Sequence, residues 1–138
     1  LCLGTDGAAS NNELNMFNEM RQAALFGKAS ADSAAATTAW DVLTMATING
    51  ARALGMEDAL GTLETGKLAD CIAVDLDQLN SQPVYDPIST LVYSVQSSQV
   101  NYVWVDGKLC VANGDVLTMD TEAIKHRAAE WAGKIHSL

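Results

Sequence analysis

Asp6 is the side chain best placed for chemistry in this 138-residue sequence. It follows residues 1–5, a short apolar run of strand composition, and it precedes Gly7, which permits a sharp change of chain direction. A carboxylate just past an apolar strand occupies the rim where α/β and barrel enzymes carry their reactive groups. Aspartate in an Asp-Gly pair is also an ordinary turn residue. On this pattern alone, a catalytic role and a turn role both stay open.

The histidines and cysteines do not suggest a second site. His126 and His136 lie ten positions apart on a predicted helix, which separates them by roughly 80° around its surface. We interpret both as surface residues rather than as joint metal ligands. Cys2, Cys71 and Cys110 have no CxxC or Cys/His spacing. The sequence therefore predicts neither a zinc cluster nor a disulfide framework, and it gives little support for a cysteine nucleophile.

The charge balance argues against nucleic acid or an anionic membrane as a partner. The formal net charge is −9, and the eight Lys and Arg residues are scattered along the chain. Trp40, Trp104 and Trp131 lie in apolar periodic segments without a basic patch, so we interpret them as core residues. No apolar run approaches 18 residues. Together with the unpaired cysteines, this predicts a soluble protein of the reducing cytoplasm.

Two helical regions are predicted to follow Asp6. Ser10 and Glu13 match a capping box, and an apolar stripe then favours a helix to about Lys28. The stripe consists of Leu14, Phe17, Met20, Ala24 and Leu25. Thr38 and Asp41 match a second capping box, which predicts a helical hairpin over residues 38–55 that ends at Gly55. Ser10 and neighbouring Asn11 lie close to Asp6, but the capping box accounts for Ser10 without a ligand.

The second half of the chain is predicted to be richer in strands. Residues 69–76 form a nearly continuous apolar run that indicates a buried strand, and Asp86-Pro87 favours the start of a short helix. Residues 100–105 and 108–112 are β-rich and are separated by Asp106-Gly107, the signature of a type I′ hairpin. From Thr121 onward, apolar residues at helical spacing predict a C-terminal amphipathic helix that covers an apolar surface.

Three segments together resemble the amidohydrolase superfamily. They are LGTDGAASNN at 3–12, MATINGARALG at 45–55 and GTLETGKLAD at 61–70. The resemblance extends over essentially the whole chain, including YDP at 85–87 and VWVDGK at 103–108. The group that it resembles most is the methylthioadenosine/S-adenosylhomocysteine deaminases with their chlorohydrolase relatives.

The resemblance implies an α/β fold, namely the C-terminal part of a metal-dependent (β/α)8 barrel with part of a small β-domain and a C-terminal helix. Residues 1–58 would form the end of the barrel, with its eighth strand and the following helices. Residues 59–118 would contribute to the composite β-domain, and residues 119–138 would form the C-terminal helix. The sequence opens on an apolar run without an initiator Met, so we expect it to be a piece of a longer chain.

The resemblance also implies a role for Asp6, as a ligand of a divalent metal, preferably zinc, and as a proton shuttle. In that family a metal lowers the pKa of a bound water, which attacks a heteroaromatic ring carbon that carries an amino group or a halide. The histidine ligands and the catalytic glutamate of the family have no counterpart in residues 1–138. We therefore expect the parent to be a deaminase or chlorohydrolase, with the deaminase preferred, and the isolated chain to be inactive and to bind no metal.

The partners implied are a small molecule for the parent, of the purine nucleoside type or another aminated heterocycle, and the remainder of the barrel or further copies for this chain. Open strand edges and a barrel-derived helix would expose apolar surface that such partners cover. The alternative is a non-enzymatic folded oligomerisation module derived from such an enzyme. The exact substrate and the oligomeric state stay open at the level of sequence.

Overall fold

Helices occupy most of the first half of the chain and an antiparallel sheet lies in the second half. The structure, a computed structural model, describes residues 1–136. In chain order the elements are α1 (Met16–Ser30), α2 (Ala39–Ala46), α3 (Ile48–Ala53), β1 (Cys71–Val74), α4 (Pro87–Tyr93), β2 (Val100–Val105), β3 (Lys108–Ala112), β4 (Asp115–Val116) and α5 (Thr121–His136). Short 3-10 turns at Leu79–Ser81 and Ser97–Gln99 flank α4. The chain is thus a mixed α/β structure with a small sheet.

Helix α1 begins at Met16, later than the sequence predicts. Its N-cap is Asn15, whose Oδ1 accepts a hydrogen bond of 3.1 Å from the backbone N–H of Phe17. The capping box predicted at Ser10 and Glu13 is wrong, because residues 8–10 form a turn instead. The Ser10 hydroxyl is used within that turn, as described below. The predicted end near Lys28 is correct to within two residues.

Residues 1–5 are not a β-strand among the residues described, contrary to prediction. No neighbouring strand in the described chain pairs with them, and a strand is defined by its ladder of hydrogen bonds. They are held instead by helices: the Leu3 N–H donates to the Met45 carbonyl at 3.0 Å, and Asn49 Nδ2 donates to the Leu1 carbonyl at 2.9 Å. The segment is therefore fixed against α2 and α3 by specific contacts.

A helical hairpin is predicted over residues 38–55, and two helices are present there, α2 and α3, separated by Thr47 alone. Thr38 and Asp41 form a reciprocal capping box: the Asp41 N–H donates to Thr38 Oγ1, and the Thr38 N–H donates to Asp41 Oδ2. Gly55, with φ of 67°, lies just after the C-cap of α3, in the left-handed conformation that favours glycine.

The core lies among α1, α2 and α4. Its buried members are Phe17, Met20, Ala24, Ala39, Val42, Val92 and Val95. The apolar stripe of α1 is therefore predicted correctly at its centre, but Leu14 and Leu25 are exposed at its ends. The expectation that Trp40 and Trp131 are core residues is wrong, since 59% and 60% of their surfaces are exposed. Trp104 is half-buried on the sheet and stacks on Tyr102.

One close approach fixes how α1 meets the connector to α2. Gly27 lies within α1, and a Cβ built there would lie 2.7 Å from the Cβ of Thr37. Thr37 itself has a positive φ of 49°. Lys28 Nζ donates to the carbonyls of Ala36 and Thr37 at 2.7 and 2.9 Å, which holds the connector against the helix end.

The sheet is antiparallel and has the strand order β1-β2-β3-β4. The predicted hairpin is confirmed: Asp106 and Gly107 have φ of 49° and 72°, which are the positive values that a type I′ turn requires. The N–H of Gly107 also donates to the Ala69 carbonyl, which ties the turn to the start of β1. A second turn with two positive φ angles, Asn113-Gly114, joins β3 to β4, a strand that the sequence analysis does not predict.

Asp86 is the N-cap of α4, as predicted, with Pro87 in the first helical turn. Within the chain range expected for the composite β-domain, α4 packs against α1 and α2 through Val92 and the following Val95. Helix α5 is present as predicted, but every one of its residues is exposed. The expectation that it covers an apolar surface is not met within residues 1–136. None of the helices in this range has the length and apolar character needed to cross a membrane.

Candidate functional site

Asp6 lies on the surface, where residues 1–5 turn toward α1. Its φ of 57° is in the left-handed region, which aspartate adopts more readily than most residues. The turn is closed by backbone hydrogen bonds of 3.0 Å from the N–H groups of Ser10 and Asn11 to the Gly7 carbonyl. The sequence folds this way locally because Asp, Gly, Ser and Asn all favour turns, each by its own geometry.

Local hydrogen bonds hold the Asp6 carboxylate in its charged form. The Ser10 hydroxyl donates to Asp6 Oδ2 at 2.7 Å. This bond, and next the backbone bond from Gly7, lower the pKa of the Asp6 carboxyl, whereas burial opposes them weakly. Asp6 is therefore an ionised and oriented carboxylate at neutral pH, which suits both a metal ligand and a proton acceptor.

Asn11 connects this turn to α1. Its side-chain Nδ2 donates to the Thr5 carbonyl and to Glu19 Oε1, both at 2.8 Å. Its Oδ1 accepts from the N–H of Glu13 at 3.1 Å. The side chain thereby joins the residue before Asp6 to the first turn of α1. The sequence places Asn11 near Asp6 but predicts no role for it. Its partner Glu19 is eight residues away, and no local sequence pattern predicts their hydrogen bond.

The other sequence candidates do not converge on Asp6. His126 and His136 are exposed on α5, as predicted, and His126 Nε2 lies 3.3 Å from Glu130 Oε1 on the same helix. All three cysteines are free. Within residues 1–136, no group of three or more His, Cys, Asp and Glu side chains is arranged to hold a metal ion.

The sequence matches the model of the Amidohydrolase family over residues 1–110. The chain belongs to the amidohydrolase family. This match confirms the resemblance found in the sequence.

Curated relatives within the family are deaminases. The chain is 51% identical over 135 residues to a 5-methylthioadenosine/S-adenosylhomocysteine deaminase of Teredinibacter turnerae, a match that covers 98% of this chain and 30% of that protein. It is 47% identical over 136 residues to the enzyme of the same name from Saccharophagus degradans, with 99% and 30% covered. The chain thus spans about 30% of the length of these relatives.

Solved structures of family members agree with the fold described above. An adenosine deaminase from Xanthomonas campestris with bound zinc is 43% identical, with a TM-score of 0.96 over 100% of this chain and 31% of that one. An atrazine chlorohydrolase from Arthrobacter aurescens complexed with zinc is 32% identical, with a TM-score of 0.82 over 90% of this chain and 28% of that one. Both proteins carry zinc, and each extends well beyond the matched part.

Proposed function

We propose that this chain is the C-terminal part of a zinc-dependent deaminase that hydrolyses a C–N bond on a heteroaromatic ring. The observation that carries the proposal is the ionised Asp6 carboxylate, held by Ser10 and Gly7 in a chain that matches deaminases over nearly its full length. By itself the chain contributes one ligand, so we propose that it is inactive without the rest of the enzyme.

The proposed parent is a (β/α)8 barrel. Residues 1–5 would be its eighth strand, and residues 1–58 would end the barrel, with 59–118 in the composite β-domain and 119–138 as the C-terminal helix. The hydrogen bond from the Leu3 N–H to the Met45 carbonyl supports this, since it holds residues 1–5 against α2, where flanking strands of the parent could pair with them. Asp6 would then lie at the C-terminal rim of the barrel, where barrel enzymes carry their chemistry.

The role proposed for Asp6 has two parts. One carboxylate oxygen would be a ligand of the metal, which when bound would supply an activated water. The carboxylate would also accept the proton of that water and deliver it to the departing amino group. Ser10 would orient the carboxylate during both steps, because its hydroxyl donates to Oδ2. Asn11 would hold the backbone before Asp6 in place through the Thr5 carbonyl.

The substrate proposed is a purine nucleoside of the kind named for the relatives, such as methylthioadenosine or S-adenosylhomocysteine. Loss of halide from such a ring is the second reaction proposed, and the match to the atrazine chlorohydrolase supports it. We also propose a cytoplasmic location, which the three free cysteines support.

The experiment is a hybrid enzyme, in which this chain replaces the matched segment of the Teredinibacter turnerae deaminase. The hybrid is expected to release ammonia from methylthioadenosine. Asp6→Asn should lower kcat by roughly 10²–10⁴-fold, because it removes the proton acceptor while keeping a residue that tolerates a positive φ. Asp32→Asn is the matched control, since Asp32 is also exposed and has a φ of 48°.

Activity that survives Asp6→Asn in the hybrid would contradict the role of Asp6. A hybrid that folds and binds zinc but does not deaminate would contradict the substrate class, and chloride release from a chlorinated triazine would then favour the chlorohydrolase reaction.

A second candidate function is a non-enzymatic oligomerisation module. The observation that favours it is the number of large apolar side chains exposed on the helices, among them Leu25, Phe26, Trp40 and Trp131. Sedimentation velocity of the chain alone tests it: a stable dimer or higher oligomer at micromolar concentration would support the module. A monomer would contradict the module and would favour the rest of the enzyme as the partner that covers the exposed surface.

A further inference from the structure

Helix α5 carries a narrow apolar stripe that nothing in residues 1–136 buries. The stripe, hereafter the α5 stripe, consists of Ile124, Ala128, Trp131 and Ile135, which lie within a sector of about 60° around the helix. Ile124 is 49% exposed, and Trp131 and Ile135 are 60% and 65% exposed. A depression of about 260 Å³ opens between Ile124 and Trp131. The helix therefore offers a shaped apolar surface, with a hollow beside a large aromatic side chain.

Basic side chains flank the α5 stripe, although the chain as a whole is acidic. Arg127 and Lys134 lie on the same side of it at helical spacing, and Lys134 Nζ stands 4.7 Å from the centre of the Trp131 ring. Lys125 lies on the other side and pairs with Glu122 at 2.7 Å. The whole chain, by contrast, has a net charge of −9. The surface that complements the stripe is therefore apolar with carboxylates at its edge.

The same cations disfavour self-association through α5. Two copies that paired along the stripe would bring Arg127 and Lys134 against the corresponding basic side chains of the second helix. Charges at these flanking positions decide partner choice in paired helices, and like charges oppose the pairing. A partner of different sequence fits the stripe better than a second copy of α5.

The placement of α5 indicates which partner this is. The similarity to the Xanthomonas campestris deaminase covers the whole chain at a TM-score of 0.96, so α5 has the same position relative to the sheet in that enzyme. This chain corresponds to only 31% of that enzyme, and most of its polypeptide therefore lies outside the match. A 16-residue helix that stands in the enzyme's position without a buried residue of its own requires a surface from that remaining part.

We propose that the α5 stripe docks on the part of the amidohydrolase polypeptide that lies outside this chain, at an apolar patch edged with carboxylates. The proposal rests on the proposed function insofar as it assumes a longer parent. The side chains of Trp131 and Ile124 would anchor the contact, and Arg127 would pair with the acidic edge. Helix α5 would thereby hold the two parts of the enzyme together.

The hybrid enzyme described above tests this through amide hydrogen exchange of residues 121–136. We expect these amides to exchange at least about 10-fold more slowly in the hybrid than in the chain alone. Trp131→Glu and, separately, Ile124→Glu should abolish the protection and lower the Tm. Ala129→Glu is the matched control, because Ala129 is exposed on the opposite side of α5, and it should change neither. Arg127→Glu should weaken the protection if the facing edge is acidic.

Equal exchange in the hybrid and in the chain alone would overturn the proposal, and so would protection of the chain alone that grows with its concentration, which would indicate a second copy. The readout is independent of catalysis. A hybrid that deaminates while α5 stays unprotected contradicts only the docking, and a hybrid that protects α5 without deaminating contradicts only the proposed function.

Discussion

The carboxylate of Asp6 illustrates how a turn can fix the ionisation state of a side chain. The residues that close the turn also set the ionisation of Asp6. The Ser10 hydroxyl and the Gly7 backbone both form hydrogen bonds with its carboxylate. Both bonds stabilise the charged form, so the pKa of Asp6 lies below its ordinary value. A ligand must be deprotonated before a metal binds, and this turn meets that condition in advance.

Removal of the Ser10 hydroxyl should raise the pKa of Asp6. Ser10→Ala deletes the largest of the contributions that lower this pKa, so the titration midpoint should move up toward that of an ordinary aspartate. The ¹³C chemical shift of the Asp6 carboxyl, followed by NMR between about pH 2 and 7, measures it. Ser33→Ala, at an exposed position in the α1–α2 connector, serves as control. An unchanged midpoint in Ser10→Ala would mean that the hydroxyl does not donate to Asp6 in solution.

At the scale of the secondary-structure elements, turns and caps that depend on residues close in sequence are predicted correctly. Features that depend on long-range contacts are not. Asp106-Gly107 and Asp86-Pro87 were interpreted correctly because a turn type or a cap depends on residues within four positions. Ser10 and Glu13 match the capping pattern, yet the helix starts at Met16, because Ser10 bonds Asp6 instead. That choice depends on the path of the whole turn, which a four-residue pattern does not contain.

The link between the two 3-10 turns and the residue after β1 could likewise not be predicted from the sequence. Gln99 is buried, and its Nε2 donates to the Asp75 carbonyl and to Ser81 Oγ, both at 2.7 Å. Its Oε1 accepts from Asn80 Nδ2 at 2.7 Å and from the Gln96 N–H at 2.9 Å. One side chain thus satisfies polar groups of both 3-10 turns. The partners lie up to 24 residues apart, beyond the reach of periodicity or motif.

Gln99→Met should destabilise the chain by roughly 2–4 kcal/mol, because it leaves several buried polar groups unpaired while nearly conserving volume. The free energy of unfolding, from urea denaturation followed by circular dichroism, measures the loss. Gln22→Met on the exposed side of α1 should change it by less than about 0.5 kcal/mol. Equal stability of the two variants would show that the Gln99 bonds contribute little.

At the scale of the whole molecule, the sequence predicts the family and the types of secondary-structure element better than it predicts which side chains are buried. Helix α5 and the hairpin form where predicted, but Trp40 and Trp131 are exposed. Amphipathic spacing indicates that a face requires a partner, and it does not say that the partner lies in the same chain. Large apolar side chains are exposed on α1 and α2, and also on α5, which the sequence predicted to cover an apolar surface.

Acid should destabilise the chain in a defined range. The pKa values of Asp6, Asp41, Asp75 and Asp86 are all lowered, in each case first by a side-chain hydrogen bond from a nearby residue. A carboxyl whose pKa is lower in the folded state gives stability that is fully present above its unfolded pKa, about 4, and that is lost as pH falls through the folded pKa.

We therefore expect these four carboxyls to leave the urea midpoint unchanged with pH above about pH 5. Below about pH 4 their protonation should lower the midpoint. A series of denaturation curves across this range measures it. Thr38→Ala removes the principal donor to Asp41 and should reduce the acid-dependent part of the decline. A midpoint that rises on acidification would contradict the direction assigned to the four carboxyls.

Gly27 and Thr37 have a consequence for how this sequence can vary. Alanine is usually preferred to glycine inside a helix by about 1 kcal/mol, but here the added methyl group would overlap Thr37, whose backbone is itself strained at a positive φ. Thr37 therefore restricts position 27: Gly27→Ala alone should lower the Tm, whereas Gly27→Ala combined with Thr37→Gly should restore or exceed it. Thermal unfolding of the two single variants and the double variant would reveal an ordered pair, in which residue 27 is expected to change only where residue 37 has already become smaller.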